Sequence, residues 1–144
     1  MILSYVLVVL DSNVVVAGLR SRRGASFEVL RRLRAGRFAI AISVPLALEY
    51  EAVLVRYAAE LGLARDEAIG LVDFLCEIGA RTAVHFLWRP ALSDPRDEFI
   101  LELAVAARCE GIVTHNIRDF AGAGRFQLWI STPGDFLRRI EEPL

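Results

Sequence analysis

The sequence predicts an α/β protein, a three-layer α/β/α sandwich around a central, mainly parallel sheet of about five strands. Two observations predict it. Short β-branched runs alternate with longer amphipathic segments along the chain, the pattern of parallel strands joined by helical crossovers. The first run, Val6 to Leu10, is apolar at every position, as expected of a strand covered on both faces. With 144 residues, 55% of them hydrophobic, the chain has the length of one ordinary domain and can bury a sizeable core. Residues 1–144 are therefore read as one domain.

Strand one is Val6 to Leu10. A helix follows from about Ser26 to Ala35, with Phe27, Leu30 and Leu33 inward and Gly36 as its C′ residue. Arg37 to Ser43 is strand two. Val44 to Leu61 is a helix with Ser43 as N-cap and Pro45 in its first turn. Arg65 to Gly79 carries acids early and ends at glycine, a second helix with a wide apolar face. Ala80 to Phe86 is the third strand, and the helix opening at Pro95 is closed by Gly111. Gly111 to His115 and Phe126 to Ser131 are the fourth and fifth strands, and Thr132 caps a final helix. The chain shows no repeat, low-complexity tract or linker.

Composition excludes several chemistries. All 17 basic residues are Arg, so no mechanism that needs a catalytic or phosphate-binding lysine is open. The formal net charge of -1 and pI near 6.1 give no global attraction for nucleic acid, so a polyanion would need a local patch or bound cations. Cys76 and Cys109 lie in apolar patterns, which suits buried thiols in a reducing cytoplasm. The apolar N-terminus lacks a basic leader, and Asp11 interrupts it well short of the roughly 20 residues of a membrane span. A soluble, cytoplasmic protein without a membrane partner is expected.

In open parallel sheets, ligands bind beyond the carboxyl ends of the strands, where strand order reverses. Polar residues gather at these ends. Asp11 follows strand one, Glu49 lies in the helix after strand two, Asp94 and Asp97 open the helix after strand three, and Asn116 and Asp119 follow strand four. Carboxylates brought together resist joint ionisation unless a cation neutralises them, and hard oxygen donors suit Mg²⁺ or Mn²⁺. Each residue also has a plainer reading. Asp11, Ser12 and Asn13 are good caps for whatever element begins at Val14. Asp94 could cap a turn before Pro95, Asp97 could counter a helix dipole, and Asn116 could cap a short turn.

Helical spacing separates neighbouring acids. Glu49 shares a face with Pro45, Leu48 and Ala52, too apolar for a casual surface, and is preferred over Glu51. Asp97 shares a face with Leu101 and Ala104 and is expected inward, whereas Glu98 pairs with Glu102.

Together the blocks VVLDSNVVVAG, PLALEYEAVL and DPRDEFILELAVAARCEGIVTHNIRDF resemble the PIN domain, particularly the branch related to VapC-type toxins of toxin–antitoxin systems. The resemblance runs from Val8 to about Leu137. It implies a PIN-like, Rossmann-like sandwich and a metal-dependent ribonuclease using Mg²⁺ or Mn²⁺. On it, the catalytic acids fall on Asp11, Glu49 and Asp97, with Asn116 where the family often has a fourth Asp. Asp119 could compensate for Asn116 as a direct or water-mediated ligand. Asn13 matches a frequent supporting Asn; Thr114 and Asp94 are further supporting positions, with Thr114 more a turn cap than a phosphate contact. Arg20, Arg22 and Arg23, just after the first site, and Arg118 are candidate contacts to RNA phosphates. No aromatic cluster points to base stacking.

The resemblance also implies a cognate antitoxin and a homodimer, with which the apolar faces of the helices Val44 to Leu61 and Arg65 to Ile78 are compatible. A second reading is a PIN fold of weak or lost turnover that binds RNA or protein, kept open by Asn116. Receiver domains and haloacid-dehalogenase phosphatases also place an aspartate after strand one, but need the missing lysine. Phosphate-loop and dinucleotide glycine motifs are absent. His85 and His115 are too few and separated for a zinc site, and no nucleophile-elbow motif accompanies them.

Overall fold

The computed structural model describes residues 6–84 and 95–141. Strand β1 (Leu7–Leu10) leads directly into helix α1 (Ser12–Arg20), then α2 (Ala25–Arg34), β2 (Ala39–Ile42), α3 (Val44–Arg56), α4 (Arg65–Ile78) and β3 (Ala80–Arg81). The second half contains α5 (Pro95–Ala106), β4 (Gly111–Val113), a 3₁₀ segment (Ile117–Phe126), β5 (Trp129–Ser131) and α6 (Pro133–Ile140).

All five strands are parallel, in the order β3-β2-β1-β4-β5. β1 is central, and it is apolar at every position, as a strand with neighbours on both sides requires. Val8, Val9 and Leu10 are fully buried, with Val8 opposite both Ile40 of β2 and Gly111 of β4. Strand order reverses at the β1–β4 boundary, which places a crevice beyond Leu10 and Val113. Helix α2 packs on α1 and α6, and α3 on α1, α4 and α5, and the expected layered sandwich is the fold observed.

Several elements end as their capping chemistry dictates. Ser43 accepts from the Leu46 amide at 3.3 Å, and Thr132 from the Asp135 amide at 3.2 Å. Gly36 follows α2 with φ of +76°, the left-handed turn expected after its last residues. Elsewhere the elements differ from expectation. α1 was not foreseen, since its Val-rich sequence reads as extended chain. α3 stops at Arg56, where the chain turns back to a Leu63–Ala58 backbone bond of 2.8 Å. The third strand shortens to Ala80–Arg81, and His85 and Phe86 lie outside the described residues. α5 closes through Arg108, at φ 58°, and Gly111 belongs instead to β4. There a Cβ would collide with the Trp129 ring and backbone, so close strand approach explains the glycine.

Candidate functional site

The site begins with the direction of β1. Its backbone continues into the crevice through a 2.9 Å bond from the Asp11 amide to the Val113 carbonyl. Asp11 then occupies the N-cap position of α1, with extended backbone angles, but its side chain makes no capping hydrogen bond. Instead Oδ2 accepts from Thr114 Oγ1 at 2.7 Å and from Asn13 Nδ2 at 3.3 Å. Thr114 is fully buried at the end of β4 and also accepts from the Asn116 amide at 3.0 Å. It is therefore both the expected turn cap and the residue that fixes the carboxylate. Asn13 completes the bracket, donating to Thr114 Oγ1 and accepting from the His115 amide, both at 3.3 Å.

Tyr50 is a positioning residue that the sequence did not reveal. Its buried hydroxyl donates to the Leu10 carbonyl at 2.5 Å, anchoring α3 to the residue before Asp11. A tyrosine beside Glu49 carries no linear signal of a partner 40 residues away. Burial, then the nearby Asp11 and Glu49 charges, pushes its ionisation well above the ordinary range, so it serves as a neutral donor.

Asp11, Ser12, Asn13, Glu49, Asp97, Asn116 and Asp119 line one cleft of about 200 Å³. Four separate segments thus deliver five of the expected residues to one place, with Asn13 beside them. Glu49 and Asp97 are half-buried, whereas Asn116 and Asp119 lie on its exposed side. Asp94 lies outside the described residues. Arg20 lines an adjoining cavity; Arg118 lies beside Asp119 on the rim; Arg22 and Arg23 are exposed in the turn after α1.

Two reasons for selecting acids need correcting. The Pro45–Leu48–Ala52 face that favoured Glu49 is solvent-exposed, with Leu48 59% accessible; Glu49 reaches the cleft from the edge of that face. Asp97 does share a side with buried Leu101 and Ala104, but Glu98 and Glu102 are buried as well. α5 is enclosed nearly all round, which periodicity cannot reveal when acids occupy the enclosed positions. Burial, reinforced by Glu98, raises the Glu102 pKa.

The electrostatics of the cleft favour a cation. Burial raises the Asp11 pKa above its ordinary value of 3.8, and the Asp119 charge adds to the rise. The Thr114 bond and the nearby Ser12 and Asn13 amides act in the opposite direction. The donor set is hard oxygen, matching Mg²⁺ or Mn²⁺. Among the described residues no three His, Cys, Asp or Glu side chains are already grouped to hold a metal ion. An ion in this cleft would thus take one or two carboxylates directly and complete its shell with water, as Mg²⁺ commonly does.

The family model described as PIN domain matches residues 7–118. Among solved structures, the chain is similar to the crystal structure of VapBC2 from Rickettsia felis bound to a DNA fragment from their promoter. The TM-score is 0.58 at 17% identity, covering 88% of this chain and 98% of that one. No curated protein sequence matches.

Proposed function

The chain belongs to the PIN domain family, and from that premise we propose that it is a divalent-metal-dependent endoribonuclease, the toxin of a type II toxin–antitoxin pair. One observation carries the reading: Asp11, Glu49, Asp97, Asn116 and Asp119 line one cleft at the reversal of strand order, where such sheets place ligands.

In this reading Asp11 and Asp97 bind the ion, held in place by Thr114 and Asn13 on one side and by α5 on the other. Asp119 and Asn116 contribute directly or through water. Glu49 either ligates or orients the attacking water. A bound Mg²⁺ or Mn²⁺ supplies Lewis acidity toward a phosphoryl oxygen and makes an attacking water more acidic. Arg118 on the rim supplies a cationic contact to phosphate, a role lysine cannot take here, and Arg20 lines the adjoining cavity. Arg22 and Arg23 extend the same basic margin.

Partners follow from the same reading. VapBC2 is a named pair, and by analogy this chain is assigned a cognate antitoxin and a second copy of itself. Apolar side chains stand exposed on the two helices concerned: Val44 at 73% and Leu48 at 59% on α3, Phe74 at 39% and Ile78 at 40% on α4. Two free cysteines, and the lack among the described residues of a helix long and apolar enough to cross a membrane, fit assignment to the cytoplasm.

The test is cleavage of a mixed RNA substrate with Mn²⁺ or Mg²⁺, compared with EDTA and with Asp11→Asn. Metal-dependent cleavage lost in the variant is expected. Intact RNA under every condition would replace this reading with a binding module. Light scattering after gel filtration tests the homodimer, and a monomer at high concentration would remove it.

A further inference from the structure

Beside the acidic cleft lies a larger groove of about 560 Å³ between α1 and α3, lined among others by Ser12, Asn13, Arg20, Arg56, Tyr57 and His115. Ser12 and Asn13 line both spaces, so the groove adjoins the cleft. Its chemistry is the reverse of its neighbour's. Acids dominate the cleft, whereas the groove presents two guanidinium groups and a half-buried phenol ring.

The two arginines stand differently. Arg20 is tied to Glu60 at 2.5 Å and stands over the Tyr57 ring, 5.8 Å from its centroid. Arg56 is exposed, and among the described residues no carboxylate pairs with it. An unneutralised guanidinium beside a half-buried aromatic ring matches what single-stranded nucleic acid offers: a phosphate charge alternating with a flat base. With a net charge of -1, the protein attracts such a strand only through a local feature of this kind.

We propose that the α1–α3 groove holds the nucleotide flanking the scissile phosphate, with Arg56 on its phosphate and Tyr57 against its base. The assignment rests on the nuclease reading and adds the direction in which the strand leaves the cleft. Arg20, braced by Glu60, holds the Tyr57 ring in place. Stacking of this kind tolerates any base, so the groove sets strand path and affinity rather than sequence preference.

The full chain is titrated against a fluorescein-labelled hexauridylate by anisotropy in EDTA, where turnover is off, across a series of salt concentrations. Arg56→Gln is expected to lower affinity severalfold and to reduce the salt slope by about 0.7, the value for one phosphate contact to a single strand. Tyr57→Leu is expected to weaken binding about fivefold or more, with Tyr57→Phe near wild type. In turnover with Mn²⁺, Arg56→Gln should raise KM with little change in kcat.

Wild-type affinity and salt slope in both Arg56→Gln and Tyr57→Leu, with cleavage intact, overturn the groove and leave the nuclease standing. RNA bound with these losses but never cleaved with Mn²⁺ or Mg²⁺ supports the groove and removes the nuclease. Variants that keep RNA affinity but lose binding to a polyglutamate peptide overturn the proposal in favour of a protein occupant. A wild-type chain that neither binds nor cleaves RNA overturns both. Should Tyr57→Leu fail to fold by circular dichroism, the exposed Arg56 position decides alone.

Discussion

Thr114 Oγ1 donates a 2.7 Å hydrogen bond to Asp11 Oδ2 across 103 residues of sequence. The same hydroxyl accepts from the Asn116 amide at 3.0 Å, so one oxygen joins the carboxyl ends of β1 and β4 to the loop bearing Asn116 and Asp119. Thr114→Val keeps the shape and removes the bond. We expect a loss of about 1–3 kcal/mol in urea denaturation, because buried polar partners are left unsatisfied. The bond lowers the Asp11 pKa, so its loss moves the acid limb of the pH–rate profile to higher pH. Thr114→Ser should preserve both properties, and a wild-type profile in the valine variant would remove Thr114 from this role.

Asp11 itself is held at a cost to stability. Its folded pKa lies above 3.8 because of burial. Between 3.8 and the folded value the native state binds more protons than the unfolded one, so stability falls as pH rises through that window and stays lower above it. In EDTA at pH 7.5, Asp11→Asn is expected to melt a few degrees above wild type while cleaving no RNA. A lower melting temperature would show that the carboxylate stabilises the fold.

Adding a divalent ion should offset that cost. Mn²⁺ or Mg²⁺ at about 100 times its Kd stabilises a one-site protein by about 2.7 kcal/mol. Differential scanning fluorimetry should show the melting temperature of wild type rising with ion concentration, with a much smaller rise in Asp11→Asn and Asp97→Asn. Equal shifts in all three proteins would place the ion elsewhere.

Gly111 is a packing requirement of the β4–β5 pair. Gly111→Ala thrusts a methyl group into Trp129, whose ring also lies under Arg139, 4.4 Å from the guanidinium to the ring centroid. Overpacking of this kind costs about 1–3 kcal/mol. Combination with Trp129→Leu should recover part of the loss, and strict additivity of the two substitutions in chemical denaturation would exclude the contact as the cause.

The thiols should differ in reactivity. Burial pushes Cys109 up to about 12; Cys76 is less buried and its pKa is raised as well. Thiol alkylation at pH 8 followed by mass spectrometry should label Cys76 slowly and Cys109 only in denaturant. Rapid native labelling of Cys109 would contradict its burial.

The parallel sheet and the central place of β1 were legible because continuous apolar runs such as Val8–Leu10 have few other places to go. The acids were legible as a set, since each falls just beyond a strand or in the helix that follows. What escaped depended on contacts between distant segments. Val14, Val15 and Val16 favour extended chain by local stiffness, yet they form α1 because burying them in the core outweighs that preference. Gly18, a poor helix former, serves close packing there: a Cβ would meet Leu30 at 2.5 Å and the Ser26 carbonyl at 2.9 Å. Tyr50 and Tyr57 look alike in sequence, but one hydroxyl is buried on Leu10 and the other ring stands in a groove. Helical spacing alone cannot separate those fates.

The pairing of β1 with β4 makes the order of synthesis matter. Asp11 leaves the ribosome first, and its hydroxyl partner on Thr114 follows 103 residues later, a delay of about 5–20 s at ordinary elongation rates. Asp97 arrives shortly before it and Asp119 just after, and until β4 is made β1 has no neighbour on that side. A polypeptide abandoned midway therefore carries only part of the cleft that the complete fold assembles.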